Sequence, residues 1–231
     1  KLQKLNAVKD KFFRIISHDL KSPFNAFINI SETLSDPNLN LSKDKVQYFA
    51  NSINKTAKSS YDLFKNLLLW SMSQREDIEI IKEDINLNTL VNETVEILKT
   101  QANEKNIEIS VDINPEMKIV SDRNILETVL RNLISNAIKF TPKDGQISIS
   151  ADSKENETLL SVKDTGIGIN KADLEKLFKP EFHHTTVGTN NEKGTGLGLI
   201  LCKESIEKAG GTITVESELN KGSEFKIVLP C

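Results

Sequence analysis

The chain offers three groups of residues whose types and spacing could do chemistry. His18 is followed at once by Asp19 and one turn later by Ser22. At ~100° per residue, Lys11, Arg14, Lys21, Ser22, Asn25 and Asn29 share the polar side with His18, so the imidazole is expected to be exposed with a carboxylate beside it as orienter or general base. Ser22, on the same face, could position a water through its hydroxyl. The second group is Asn132, Asn136 and Lys139, spaced by four and three along a helical run; amide oxygens and an ammonium on one face suit a nucleotide phosphate with a divalent cation. The third is a pair of glycine segments. Asp164-Thr165-Gly166-Ile167-Gly168 follows an apolar run and could present a carboxylate to an exocyclic amine, and Gly194-Thr195-Gly196-Leu197-Gly198 leads into a helix N-terminus, where free N–H groups favour phosphate. Neither segment completes a G-x-G-x-x-G fingerprint or a Walker loop. Taken singly, each group also reads as ordinary structure: a solvated histidine, a polar helix face, two tight turns.

Two kinds of element must position these groups. From Leu2 to Leu34 apolar residues recur at helical spacing, with Pro23 predicted to bend the helix one turn past His18. Ser35-Asp36-Pro37-Asn38 supplies a turn, and Ser42 is the expected N-cap of a second helix running to Met72. Two helices of roughly 30 residues would each be about 45 Å long, and such a hairpin is expected to bury its stripe against a second copy in a four-helix bundle.

Beyond Asp77 the period changes. Strand-like runs are expected at Ile78–Ile81, Ile107–Ile113, Ile147–Ala151, Leu159–Lys163, Thr212–Glu216 and Phe225–Leu229, with helices at Leu87–Gln101, Asn124–Lys139, Lys171–Leu177 and Leu197–Lys208. Helices over a mostly antiparallel sheet predict a two-layer sandwich. The expected fold class is therefore α + α/β: an antiparallel helical hairpin over residues 1–76, then an α/β sandwich over 77–231, with a hinge near Gln74–Ile78. The polar stretch Lys179–Gly194 is the expected lid.

Composition narrows the classes. The 231 residues carry 30 Lys+Arg against 33 Asp+Glu, a formal net charge of −3 that gives no basic field for nucleic acid or an acidic membrane. Two cysteines, Cys202 and Cys231, make neither a zinc set nor a disulfide framework and fit a reducing compartment. No run approaches the ~20 apolar residues of a membrane span, and a chain that opens with Lys1 inside a helical pattern is expected to be an excised piece of a longer protein.

Phe12-Phe13-Arg14-Ile15-Ile16-Ser17-His18-Asp19-Leu20-Lys21-Ser22-Pro23 resembles the H-box of the sensor histidine kinases of two-component signalling. The segments Asn132–Thr141, Asp164–Gly168 and Gly194–Gly198 are similar, in order and spacing, to the N, G1 and G2 boxes of that family's ATP-binding domain, whose fold is shared with gyrase-type, Hsp90-type and MutL-type ATPases. The resemblance covers essentially the whole chain. It implies a homodimeric kinase whose HisKA-type hairpin is phosphorylated on His18 by ATP, with the phosphoryl group passed to an aspartate of a response-regulator receiver domain. It further implies that Asn136 holds Mg²⁺, that Asn132 and Lys139 approach the phosphates, and that Phe140 packs near the nucleotide. Asp164 would read the adenine amine, Gly166 and Gly168 would let backbone approach the base, Gly196 and Gly198 would anchor the lid on the phosphates, and Gly194, Thr195 and Leu197 would belong to the same nucleotide-binding segment. Asp19-Leu20-Lys21-Ser22 resembles the family's acidic-x-x-Thr/Asn phosphatase motif, with Ser in place of the commoner residues. Phe178 and Phe182 stand four apart where the family commonly has three, and His183-His184 fall in the lid without further metal ligands. The alternatives are a gyrase- or Hsp90-type ATPase clamp and a dimeric scaffold with a degenerate site.

Overall fold

A computed structural model describes residues 21, 23–36, 38–73, 80–154, 157–179, 186–192 and 196–230. The chain divides into two compact units, Lys1–Ser71 and Met72–Cys231.

In the first unit, helix α1 covers residues 23–35 and α2 covers Lys43–Ser73. Between them Asp36 closes an Asx turn, its Oδ1 accepting the Asn38 N–H at 2.9 Å. Ser42 caps α2 through Oγ, which accepts from the Lys45 N–H. Phe24, Ile28, Val46, Tyr48, Tyr61 and Phe64 all stand exposed within the single chain. The stretch Leu2–Leu20 of the expected first helix, and the expected hinge near Gln74–Ile78, lie outside the described residues.

The second unit runs β1 (Glu83–Asn86), α3 (Leu87–Glu104), β2 (Glu108–Asp112), β3 (Lys118–Ser121), α4 (Arg123–Phe140), β4 (Gln146–Lys154), β5 (Glu157–Asp164), α5 (Lys171–Leu174), α6 (Gly198–Lys208), β6 (Thr212–Glu218) and β7 (Gly222–Pro230). Five strands form a sheet in the order β2-β4-β5-β7-β6, antiparallel except for the β2–β4 pair. Strands β1 and β3 form a separate two-stranded antiparallel sheet.

Helices α3, α4 and α6 bury apolar stripes at i, i+3, i+4 spacing: Leu90, Val91, Leu98; Leu126, Leu130, Leu133, Ile134, Ala137, Ile138; and Cys202, Ile206. They meet the alternate residues Ile147, Ile149, Leu160, Val162, Phe225 and Ile227 of the sheet in one core cluster. Each fully buried Leu or Ile contributes about 2 kcal/mol. The alternation leaves exposed polar residues such as Ser148 and Lys163 facing the other way, and there Ser161 donates to Glu224 at 2.7 Å while Lys226 pairs with Glu216.

Two expected elements differ. The run Ile78–Ile81 is no strand at its described residues: Ile81 is exposed, its N–H donating to Asp122 Oδ2. The strand starts at Glu83, where Ile85 is the buried residue. The expected helix Lys171–Leu177 stops at Leu174 and continues as turns, although Asn170 caps it with Oδ1 accepting from Asp173 N–H.

Candidate functional site

Helix α4 carries the expected phosphate-facing row. Its entry is set by Asp122, whose Oδ1 accepts the N–H groups of Asn124 and Ile125. With one arc buried, Asn132, Asn136 and Lys139 fall on the half-buried remainder. Asn132 donates from Nδ2 to Thr128 O at 3.0 Å, which leaves its Oδ1 pointing elsewhere. That oxygen faces α6: a Cβ added to Gly198 would stand 2.9 Å from it. No hydrogen bond within the described residues occupies the Asn136 amide.

The loop after β5 meets the other end of α4. Ile167 donates its N–H to Phe140 O at 3.1 Å, and a Cβ on Gly166 would lie 2.6 Å from that same oxygen, so the glycine is what permits the approach. Gly168 turns the chain at φ +65°, and a side chain there would overlap the Glu218 carbonyl. Asp164 is only 4% exposed. Its Oδ1 accepts from Gly166 N–H at 2.8 Å and from Ser223 N–H at 3.2 Å, while no described residue bonds Oδ2. Burial raises its pKa above the ordinary carboxylate value, and the two N–H donors offset only part of that.

Lys139 sits 4.5 Å over the Phe140 ring and donates to Thr186 O at 3.1 Å. Burial lowers its pKa, Glu192 counters this, and Lys105 adds to it by repulsion. At the start of α6, Gly196 has φ +67° and the cap position is Leu197, which has no side-chain oxygen to satisfy the first-turn N–H groups. Those groups suit an anion. Gly194 and Thr195 lie outside the described residues, as do His18, Asp19, Ser22, Phe182, His183 and His184. Phe178 packs against the core with Lys203 over its ring. Cys202 is buried and its thiol is pushed up to about 12, so it is no nucleophile.

The structure thus brings Asn132, Asn136, Lys139, Phe140, Asp164, Gly166, Gly196 and Gly198 around the C-terminal half of α4. The buried Asp164 and the Lys139 ammonium stand toward the C-terminal end of α4, where Gly166 and Ile167 meet Phe140, the uncapped start of α6 faces Asn132 about two turns back, and Asn136 lies between; this donor set fits adenine, phosphates and a divalent cation. Three participants escaped the sequence reading: Ser223, which braces Asp164 from β7, and Lys105 and Glu192, which ion-pair at 2.6 Å behind Lys139. Ser223 precedes the expected strand Phe225–Leu229, and Lys105 and Glu192 carry no motif.

Fold and site together define a two-layer α/β ATPase domain of the histidine-kinase type. Residues 121–231 match the family described as "Histidine kinase-, DNA gyrase B-, and HSP90-like ATPase". The chain is 29% identical over 227 residues to the histidine protein kinase DivJ of Caulobacter vibrioides, covering 98% of this chain and 38% of DivJ. It is 30% identical over 226 residues to the sensor protein SrrB of Staphylococcus aureus, covering 98% and 39%. Among solved structures, the catalytic domain of the histidine kinase ThkA matches at TM-score 0.57 and 32% identity, covering 66% of this chain and 96% of that one. ThkA in complex with the response regulator protein TrrA matches in fold at TM-score 0.77 and 23% identity, covering 100% and 64%. The chain belongs to the histidine kinases, and it spans well under half the length of DivJ and SrrB.

Proposed function

We propose that this chain is the kinase core of a two-component sensor: ATP bound along α4 phosphorylates His18, and the phosphoryl group passes to an aspartate of a response-regulator receiver domain. The observation that carries the reading is the convergence of Asn132, Phe140, Gly166 and Gly198 on one helix beside the buried Asp164. In this reading Asp164 Oδ2 accepts the adenine amine, Asn132 and the Lys139 ammonium approach the phosphates, and the first turn of α6 receives them. Mg²⁺ would be held by Asn136 and would neutralise phosphate charge. The γ-phosphoryl P–O bond breaks as an N–P bond forms to the His18 imidazole, and Asp19 takes the imidazole proton. ADP leaves. Transfer of this kind rests on positioning and electrostatics, so the 1–76 hairpin and the 77–231 domain must close on one another about the expected hinge.

A homodimer is part of the proposal. The exposed Phe24, Ile28, Val46, Tyr48, Tyr61 and Phe64 support it, because helices that leave such side chains bare in one chain cover them against another. The receiver-domain partner is supported by membership of the family and by the ThkA complex with TrrA. Ser22 is proposed to position water for the reverse reaction on the receiver.

Incubation with γ-labelled ATP is the test. An acid-labile, base-stable label on the chain is expected; ATP hydrolysis without a labelled chain would instead establish a gyrase- or Hsp90-type clamp.

A further inference from the structure

Lys105 ends α3 and is 6% exposed. Its ammonium has three hydrogens to give, and it finds Glu192 Oε1 at 2.6 Å, Thr189 Oγ1 at 2.7 Å, the Ile138 and Lys139 carbonyls at 2.9 Å each, and Thr141 O at 3.4 Å. Two of these are carbonyls at the end of α4, which a helix cannot satisfy for itself. A third carbonyl is that of Thr141, the cap residue of α4, and the remaining two ligands, Thr189 and Glu192, belong to residues 186–192, in the expected lid.

That segment is fastened to the same place by independent bonds. Thr189 donates its N–H to Lys139 O at 3.0 Å and its hydroxyl to Thr141 O at 2.9 Å, and Lys139 Nζ holds Thr186 O. Gly188 lies so close that a Cβ would stand 2.6 Å from Lys139 Cγ. Glu192 closes the turn, its Oε2 accepting Asn190 N–H at 2.7 Å and its carbonyl accepting Gly188 N–H at 2.8 Å. Burial disfavours the Glu192 carboxylate, yet the Lys105 ammonium and the nearby N–H groups outweigh it and hold the carboxyl below its usual range.

We infer that Lys105 is a positioning residue for nucleotide binding, whose ion pair with Glu192 anchors residues 186–192 on the end of α4 and thereby sets the Lys139 ammonium against the nucleotide phosphates. The inference rests on the nucleotide reading above. It separates two duties of one ammonium: capping α4, which is structural, and tying down the loop, which concerns phosphate affinity. Adenosine carries no phosphates for the Lys139 ammonium to face and should be indifferent to the tie.

The test uses the chain as it stands, with Lys105→Met and Glu192→Gln, and measures ATP and adenosine affinity by calorimetry together with hydrogen exchange of the 186–192 and 136–141 segments. Glu192→Gln keeps the cap on α4, so exchange is expected to quicken about tenfold at 186–192 only, with ATP affinity falling about tenfold and adenosine affinity unchanged. Lys105→Met is expected to add faster exchange at 136–141; should it fail to fold, Glu192→Gln alone decides the matter. Wild-type loop exchange and a wild-type ATP-to-adenosine ratio in Glu192→Gln would overturn the inference while leaving the nucleotide site standing. A wild-type chain that binds neither ligand would overturn the nucleotide reading and this inference with it.

Discussion

The backbone N–H of Ser223 donates to Asp164 Oδ1 at 3.2 Å, although the two residues are 59 apart in the chain. They are register partners on β7 and β5, so the neighbouring strand fixes one carboxylate oxygen and leaves the other for a ligand. The carboxyl is held above its ordinary value by burial. In the folded chain it therefore takes up its proton at a higher pH than an unfolded Asp, and the unfavourable charge is relieved as pH falls through that raised value. Adenosine affinity is expected to weaken on acidification starting above the usual carboxylate range of about 4. Asp164→Asn should put an NH₂ donor against the adenine amine, costing about tenfold in affinity and abolishing the pH step. Calorimetric titration across pH checks both.

Asn136→Ala should lower ATP affinity in magnesium about tenfold or more while leaving affinity in EDTA unchanged. The residue lies off the buried stripe of α4, so the melting temperature should hold. Equal losses with and without magnesium would make it a structural asparagine.

His18→Gln is expected to abolish labelling from γ-labelled ATP with nucleotide affinity intact, because acceptor and nucleotide site occupy different parts of the chain. A filter assay for acid-labile phosphate reads the first quantity and calorimetry the second.

Ser22→Ala should keep autophosphorylation and transfer yet slow dephosphorylation of the phosphorylated receiver. Its null outcome is equal rates for the two proteins, as expected of a serine that only bonds its own helix backbone before Pro23.

Gly168→Ala should destabilise the second unit by about 2 kcal/mol or more, since the position combines φ +65° with a side chain driven into the Glu218 carbonyl. Urea denaturation followed by circular dichroism measures it.

The longer helices and the strands of the five-stranded sheet were legible because their periods are regular: α3, α4, α6, β2, β4, β5, β6 and β7 all lie where apolar spacing puts them. Strands β1 and β3, four residues each, show one buried apolar residue apiece, Ile85 and Ile119. That is too little alternation to compete with the denser run Ile78–Ile81, whose Ile81 turns out to face solvent. Nor does a local pattern distinguish the parallel β2–β4 pairing from an antiparallel one, because the choice depends on where α3 and α4 return the chain.

The site divides the same way. Asn132, Asn136, Lys139, Asp164 and the glycines were legible as types, since a glycine is demanded wherever backbone must approach closely and a helix row needs only its own spacing. The partners were not. Lys105 and Glu192 lie 87 positions apart (192 − 105), and Ser223 reaches Asp164 from another strand. A single sequence shows the order of residues along the chain but not which distant side chains share a low-dielectric space, and a buried ammonium or carboxylate acquires its role only from the oxygens and N–H groups that folding brings within reach.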